Sequence, residues 1–195
     1  TLKLQPRLPH AVTVLAPFAT LDEVTAAVPR VVDSGLAPQI LEYIDLLTMA
    51  AMTAAGNLEL GVPTEIRDTA LAYLVVVLEN AHEDRLDADV QSLGELIAGL
   101  GALDVYVLPP HAATQIIEAR EKAFWLAKAA GANEIVDIVI PRASIPEFMG
   151  KVQALAAETM VRCSDEAPVA GLVRNRTRLV MVRFGNVLGS SGSVV

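Results

Sequence analysis

Apolar positions along the chain alternate between short continuous runs and helical spacing. Ala11 to Phe18 (AVTVLAPF) is an apolar run of strand length. Thr20 and Glu23 then stand in the T-x-x-E spacing of a capping box, which opens a helix. Val24, Ala27, Val28 and Val31 recur on one face of it, and Gly35 suits the residue just past its end. Pro29 inside this helix predicts a kink, because its ring displaces one backbone hydrogen bond. Pro38 to Asp45 (PQILEYID) reads as a returning strand and completes a βαβ-like unit. A second cycle begins with a strong strand from Leu71 to Glu79. Asp87 or Asp89 is expected to cap the next helix, with Leu93, Leu96, Ile97 and Leu100 on one face and Gly101 as its stop. Asp104 to Leu108 predicts a short strand, and Pro109-Pro110 precedes a long helix from Ala112 to Ala130, with Ile116, Ile117, Phe124 and Ala127 as its stripe. Glu134 to Ile140 predicts another strand. Ser144 and Glu147 have capping-box spacing again, ahead of a helix with Phe148, Val152 and Leu155 inward.

Strands alternating with helices imply a sheet covered by helices, and the repeated β-α-β unit is compatible with an α+β, ferredoxin-like sandwich. Between residues 161 and 177 the periodicity fails: Arg162, Asp165, Glu166, Pro168, Gly171 and Arg174 define no face. The organisation expected is a domain over residues 4–160, a junction over 161–177 and a distinct, poorly packed segment over 178–195. The chain opens on Thr1 in what reads as the end of a strand and closes on Ser193-Val194-Val195, so it is expected to be a piece of a longer protein.

Composition narrows the class. Hydrophobic residues make up 53% of the 195, which argues against disorder. No stretch reaches the ~18 uninterrupted apolar residues of a membrane span. Lys3 and Arg7 lead into Pro9 and His10 rather than into the apolar core of a signal peptide. A net charge of −8 repels phosphate backbones and argues against a nucleic-acid partner. Together these suit a cytoplasmic protein, or one peripheral to the inner face of a membrane. The single cysteine, Cys163, has no internal disulfide partner and reads as an inert thiol. His10, His82 and His111 are widely separated, and no pair has metal-site spacing.

Three segments carry a resemblance to a known family. Pro38-Gln39-Ile40-Leu41-Glu42-Tyr43-Ile44-Asp45 resembles the P-x-x-L-E-x-x-D strand of the C-terminal domain of FAD-linked oxidases. Arg120-Glu121-Lys122-Ala123-Phe124-Trp125 resembles the helix bearing that family's Arg-Glu pair. Asp137-Ile138-Val139-Ile140-Pro141-Arg142 resembles its D-x-x-V-P-R strand end, continued by Ile145-Pro146-Glu147. Order and spacing agree over residues 4–160. The family includes glycolate oxidase, D-lactate dehydrogenase and D-2-hydroxyglutarate dehydrogenase. The resemblance implies a ferredoxin-like cap that closes over FAD, the flavin being bound mainly by a separate domain. The implied activity is oxidation of a small D-2-hydroxy acid to the 2-oxo acid, with electrons passing on to a carrier protein or a quinone.

The resemblance gives Arg120 the role of holding the substrate carboxylate, for which a guanidinium is well shaped. Periodicity alone leaves Arg120 in a solvated cluster with Glu118, Glu121 and Lys122. After a strand-ending proline, Arg142 either reaches the cap–flavin cleft as a second substrate-binding residue or pairs with Glu147, and the structural pairing is the favoured reading. Glu42 and Asp45, three apart on an apolar strand, face opposite sides; one is either inward and functional, or marks the strand end. The family's Gly-His-x-Gly-Asp-Gly-Asn-x-His segment has no counterpart here, so the catalytic residues are not assigned and the isolated chain is expected to be inactive.

A second resemblance is confined to the tail. Val182-Arg183-Phe184-Gly185-Asn186-Val187-Leu188-Gly189-Ser190-Ser191-Gly192-Ser193-Val194 is similar to the R-F-G-N-V-x-G-S-x-G-S-V segment of nucleotide-sugar 4,6-dehydratases of polysaccharide synthesis, which are short-chain dehydrogenase/reductases. Their Gly-rich NAD loop and Tyr-x-x-x-Lys pair are not in this chain. The simplest reading is a hybrid whose main part is an oxidase cap. The alternatives are a nucleotide-sugar dehydratase or epimerase, and a non-catalytic α+β binding module.

Overall fold

Five strands form one sheet in the computed structural model, which describes residues 8–56, 58–122, 139–165 and 181–183, together with residues 125 and 128. The elements in chain order are β1 (His10–Phe18), α1 (Leu21–Asp33), β2 (Ile40–Asp45), α2 (Leu46–Gly56), α3 (Thr64–Thr69), β3 (Ala72–Asn80), α4 (Glu83–Gly99), β4 (Tyr106–Val107), α5 (Pro110–Glu121), a 3-10 turn (Arg142–Ser144), α6 (Ile145–Asp165) and β5 (Met181–Arg183). The strand order is β4-β1-β3-β2-β5, with every neighbouring pair antiparallel. β1 and β2 therefore run parallel with β3 inserted between them, the split βαβ arrangement of a ferredoxin-like fold. The α+β expectation holds.

Register decides which residues share a face. Tyr106 pairs with Leu15, Leu15 with Val75, Val75 with Glu42 and Glu42 with Arg183, so one row of positions crosses all five strands. Directly opposed residues project to the same side of a sheet. On the first face, Val14, Ala16 and Phe18 of β1, Leu41 and Tyr43 of β2, and Leu74, Val76 and Leu78 of β3 pack with α1, α4 and the start of α6. On the second, Leu15, Ile44, Tyr73 and Val75 pack with Met49 and Met52 of α2 and with Ala112, Ile116 and Ala119 of α5.

Several local expectations are met. Thr20 caps α1: the Glu23 amide donates to its Oγ1 at 3.2 Å, and the Thr20 amide donates to Glu23 Oε2 at 3.1 Å. Val24, Ala27, Val28 and Val31 are the buried stripe, and the helix runs through Pro29 to Asp33. Gly35 and Gly101 hold positive φ, at +81° and +98°, just past the ends of α1 and α4.

Others are corrected. α4 begins at Glu83 with His82 as its N-cap, a full turn ahead of Asp87 and Asp89. Leu86 is already buried in the core, and Glu83 and Asp84 complement the helix N-terminus. Asp89 is interior and instead accepts from Asn80 Nδ2 at 3.0 Å, tying the helix to the end of β3. α5 starts two residues early, with Pro110 in its first turn, where the missing N–H costs nothing. Among the described side chains of α6, Ile145 and Met149 are buried, Phe148 and Val152 are half-buried, and Leu155 is 64% exposed. Glu147 is turned to Lys151, its neighbour one turn on, at 2.6 Å. α2 and α3 were not foreseen. The strand expected over 134–140 and the positions of Phe124 and Ala127 fall outside the described residues except at 139 and 140, as does most of the tail.

Candidate functional site

Glu42 lies on β2 between β3 and β5, facing the second layer of helices, and is 4% exposed. A carboxylate on an apolar sheet face is costly unless a cation meets it. α5 supplies that cation. Its buried residues Ala112, Ile116 and Ala119 set the face that packs on the sheet, and Arg120 is one turn beyond Ile116. Arg120 Nη1 donates to Glu42 Oε1 at 3.1 Å, with the arginine side chain 12% exposed. Arg120 thus turns inward, while Glu118, Glu121 and Lys122 are exposed. The reading of Arg120 as part of a solvated cluster is corrected. The guanidinium Nε–H is out of water and has no acceptor among the described residues.

Asp45 has a different task. Its Oδ1 accepts from the Thr48 amide at 2.9 Å, and its Oδ2 accepts from the Thr48 hydroxyl at 3.0 Å. Asp45 is therefore the N-cap of α2, which starts at Leu46. Of the two strand carboxylates, Glu42 is inward and Asp45 marks the strand end. Arg142 sits in the 3-10 turn before α6, and its side chain lies outside the described residues. Glu147, the partner considered for it, is paired with Lys151. That exposed lysine holds the Glu147 carboxyl below its ordinary range, by hydrogen bond and by charge. His10, His82 and His111 stand on three separate elements: the start of β1, the cap of α4 and the first turn of α5.

Three tyrosines have phenols held neutral. Burial, then the charge of Asp45, pushes Tyr43 up; its O–H donates to Met149 Sδ at 3.1 Å on the first face. Burial raises Tyr73, with Arg67 partly offsetting it. Tyr106 is pushed up to about 12, by burial first and then by the neighbouring Asp104 carboxylate; its hydroxyl is out of water and has no hydrogen-bond partner among the described residues.

A groove between α2 and α5 is lined by Met52, Ala55, Leu58, Gln115, Glu118 and Lys122 and encloses about 150 Å³. Cofactor pockets span ~300–1,000 Å³, so the groove does not fit FAD. Among the described residues no helix is long and apolar enough to cross a membrane.

A split βαβ sheet with helices on both faces defines a ferredoxin-like α+β domain, here with a buried guanidinium on one face. The chain belongs to the family described as FAD linked oxidases, C-terminal domain, which matches residues 7–188, and FAD is the cofactor of that family. The matched span includes residues 161–177 and β5. The chain is 57% identical over 156 residues to an uncharacterized FAD-linked oxidoreductase of Mycobacterium tuberculosis, covering 80% of the chain and 34% of that protein. It is 28% identical over 168 residues to D-lactate dehydrogenase of Anaerostipes hadrus, covering 83% of the chain and 34% of that protein. With glycolate oxidase subunit GlcD of Escherichia coli it shares 25% identity over 167 residues, 85% of the chain and 32% of that protein. The chain thus spans about a third of the length of these curated relatives. A solved alkyldihydroxyacetonephosphate synthase shares the fold at a TM-score of 0.54 and 14% identity, over 81% of this chain and 30% of that one.

Proposed function

We propose that this chain is the substrate-side cap domain of an FAD-dependent oxidoreductase that converts a small D-2-hydroxy acid, of the glycolate or D-lactate kind, to the 2-oxo acid. FAD is bound mainly by a domain outside this chain, and electrons pass from it to a carrier protein or a quinone. The substrate class follows the names of the D-lactate dehydrogenase and glycolate oxidase relatives.

The observation that carries the reading is the state of Arg120: inward on the sheet face, bonded to Glu42 through Nη1 and with Nε–H lacking an acceptor among the described residues. A buried donor without a partner is uncommon in a finished structure and calls for an acceptor from elsewhere. A substrate carboxylate is such an acceptor, and a charge-assisted bond in a dry site is strong. Oxidation at the α-carbon requires the carboxylate to be held still, because a small misplacement of the reacting carbon slows transfer sharply. Arg120 performs that task from a helix braced against the sheet, with Arg142 as a second candidate at the turn before α6.

The experiment is anaerobic mixing of the FAD-loaded, full-length enzyme with D-lactate, glycolate, D-2-hydroxyglutarate and L-lactate. Bleaching of the flavin by at least one of the first three, and not by L-lactate, is expected. A flavin that stays oxidised with all of them overturns the substrate class. The isolated chain, titrated with FAD and followed by flavin fluorescence, is expected to show no micromolar binding.

A further inference from the structure

We infer that Glu42 is a positioning residue of the substrate-anion site, setting the orientation of the Arg120 guanidinium and balancing its charge before substrate arrives. This rests on the substrate role proposed for Arg120. Three observations lead to it.

The first is placement. Glu42 sits mid-strand on β2, and its strand neighbours Leu41, Tyr43 and Ile44 are buried hydrophobic residues. A strand between two others is a rigid mount, so the carboxylate is a fixed post rather than a flexible partner. The second is geometry. The contact runs from Nη1 to a single carboxylate oxygen, and Nε takes no part in it. A pair selected only to lock α5 onto the sheet gains most from two parallel bonds. Here the guanidinium is held by one corner, and an N–H donor on another corner is left without an acceptor among the described residues. The third is charge. Arg120, set against this apolar layer, needs an anion within reach whenever substrate is away, and the Glu42 carboxylate at 3.1 Å supplies one. Glu42 thereby weakens anion binding at rest while fixing the angle at which the carboxylate is met.

The test is steady-state kinetics of Glu42→Gln in the FAD-loaded, full-length enzyme. The substitution keeps the shape and an oxygen acceptor but removes the charge. With its charge-assisted bond to the guanidinium weakened, kcat is expected to fall roughly tenfold or more. KM is expected not to rise, because the less compensated Arg120 holds an anion at least as well. A flavin-loaded Glu42→Gln enzyme with unchanged kcat, or with raised KM, overturns the inference, since a merely structural role alters stability and flavin content but not this split. Should Glu42→Gln fail to fold, Glu42→Asp replaces it: charge is kept but drawn back by one methylene, and the same fall in kcat without a rise in KM is required. Arg120→Lys, measured alongside, separates the two claims. If Arg120→Lys is unimpaired, the substrate role of Arg120 fails; if it is impaired and the Glu42 variants are not, only the positioning role fails.

Discussion

Phe18, Leu74 and Tyr43 on one face of the sheet, and Leu15, Val75 and Glu42 on the other, come from the same three strands, yet they meet different surroundings. The first face closes on α1, α4 and α6 with aliphatic and aromatic contacts, and its polar tip, the Tyr43 hydroxyl, is turned to a methionine sulfur. The second closes on α2 and α5 around an ion pair whose Nε–H has no acceptor among the described residues. Replacing a buried ion pair by well-packed apolar residues is often neutral or stabilising. On the proposed function, the pair serves the substrate-anion site rather than stability. Under the proposed function the working surface is the α2/α5 side, and the α1/α4 side serves packing.

The largest effect expected is on stability, and it sets the two faces against each other. Leu74→Ala on the first face should cost about 2–5 kcal/mol through lost transfer energy and a cavity. Arg120→Ala on the second should cost about 3–5 kcal/mol, because Glu42 is left charged and buried. The faces then diverge: the double change Arg120→Met with Glu42→Leu should recover most of that loss, giving a chain with near wild-type urea midpoint and no hydroxy-acid oxidation in the full-length enzyme. A double variant as unstable as Arg120→Ala would show that the pair is a structural keystone and would erase the distinction.

Next comes the kinetic cost of a conservative change. Arg120→Lys keeps the charge but loses the planar fork, so kcat/KM for the hydroxy acid should fall roughly tenfold to a hundredfold. Glu118→Gln and Lys122→Gln, exposed on the same helix, should leave kcat/KM at the wild-type value. Equal, mild effects from all three would return Arg120 to the ordinary helix surface.

The smallest effect is a pH response. Tyr43 on the first face, Tyr73 on the second and Tyr106 at the β4 edge all have raised phenol pKa values, chiefly through burial. An unfolded phenol ionises near ~10. A raised value means that the folded state favours the neutral form. This contribution is fully present below ~10 and is lost as pH rises through the folded value, about 12 for Tyr106. Phenolate absorbance should therefore rise late in an alkaline titration, together with loss of helical circular dichroism. Full ionisation near pH ~10 with the fold intact would contradict the burial of Tyr43, Tyr73 and the Tyr106 hydroxyl.

What could be read from the residues was local. The Thr20–Glu23 box, the β1 and β3 runs and the α1 stripe each lie within a dozen positions, and short-range chemistry dictates them. The family motif was legible too, because it is a pattern of residue types. α2 was hidden because Leu46–Gly56 is apolar or small on every side and offers no periodic signal; the usable clue was Asp45, an N-cap standing just before it. Leu155 was misplaced because the packed residues of α6 among those described, Ile145, Phe148 and Met149, are all at its start.

The sequence by itself determined that strands and helices would alternate, where α1 would be capped and which arginine and which glutamate were worth watching. It left Arg120 among solvated neighbours and Glu42 undecided between strand end and site. Only the tertiary structure joined them, because 78 residues separate the two and their meeting depends on the β3 insertion between β1 and β2 and on the rotation of α5. A helix shows which residues share a stripe, but which neighbour lies under that stripe is set by packing across the sheet. That packing put Arg120 over Glu42, where a carboxylate in a dry layer needed a cation.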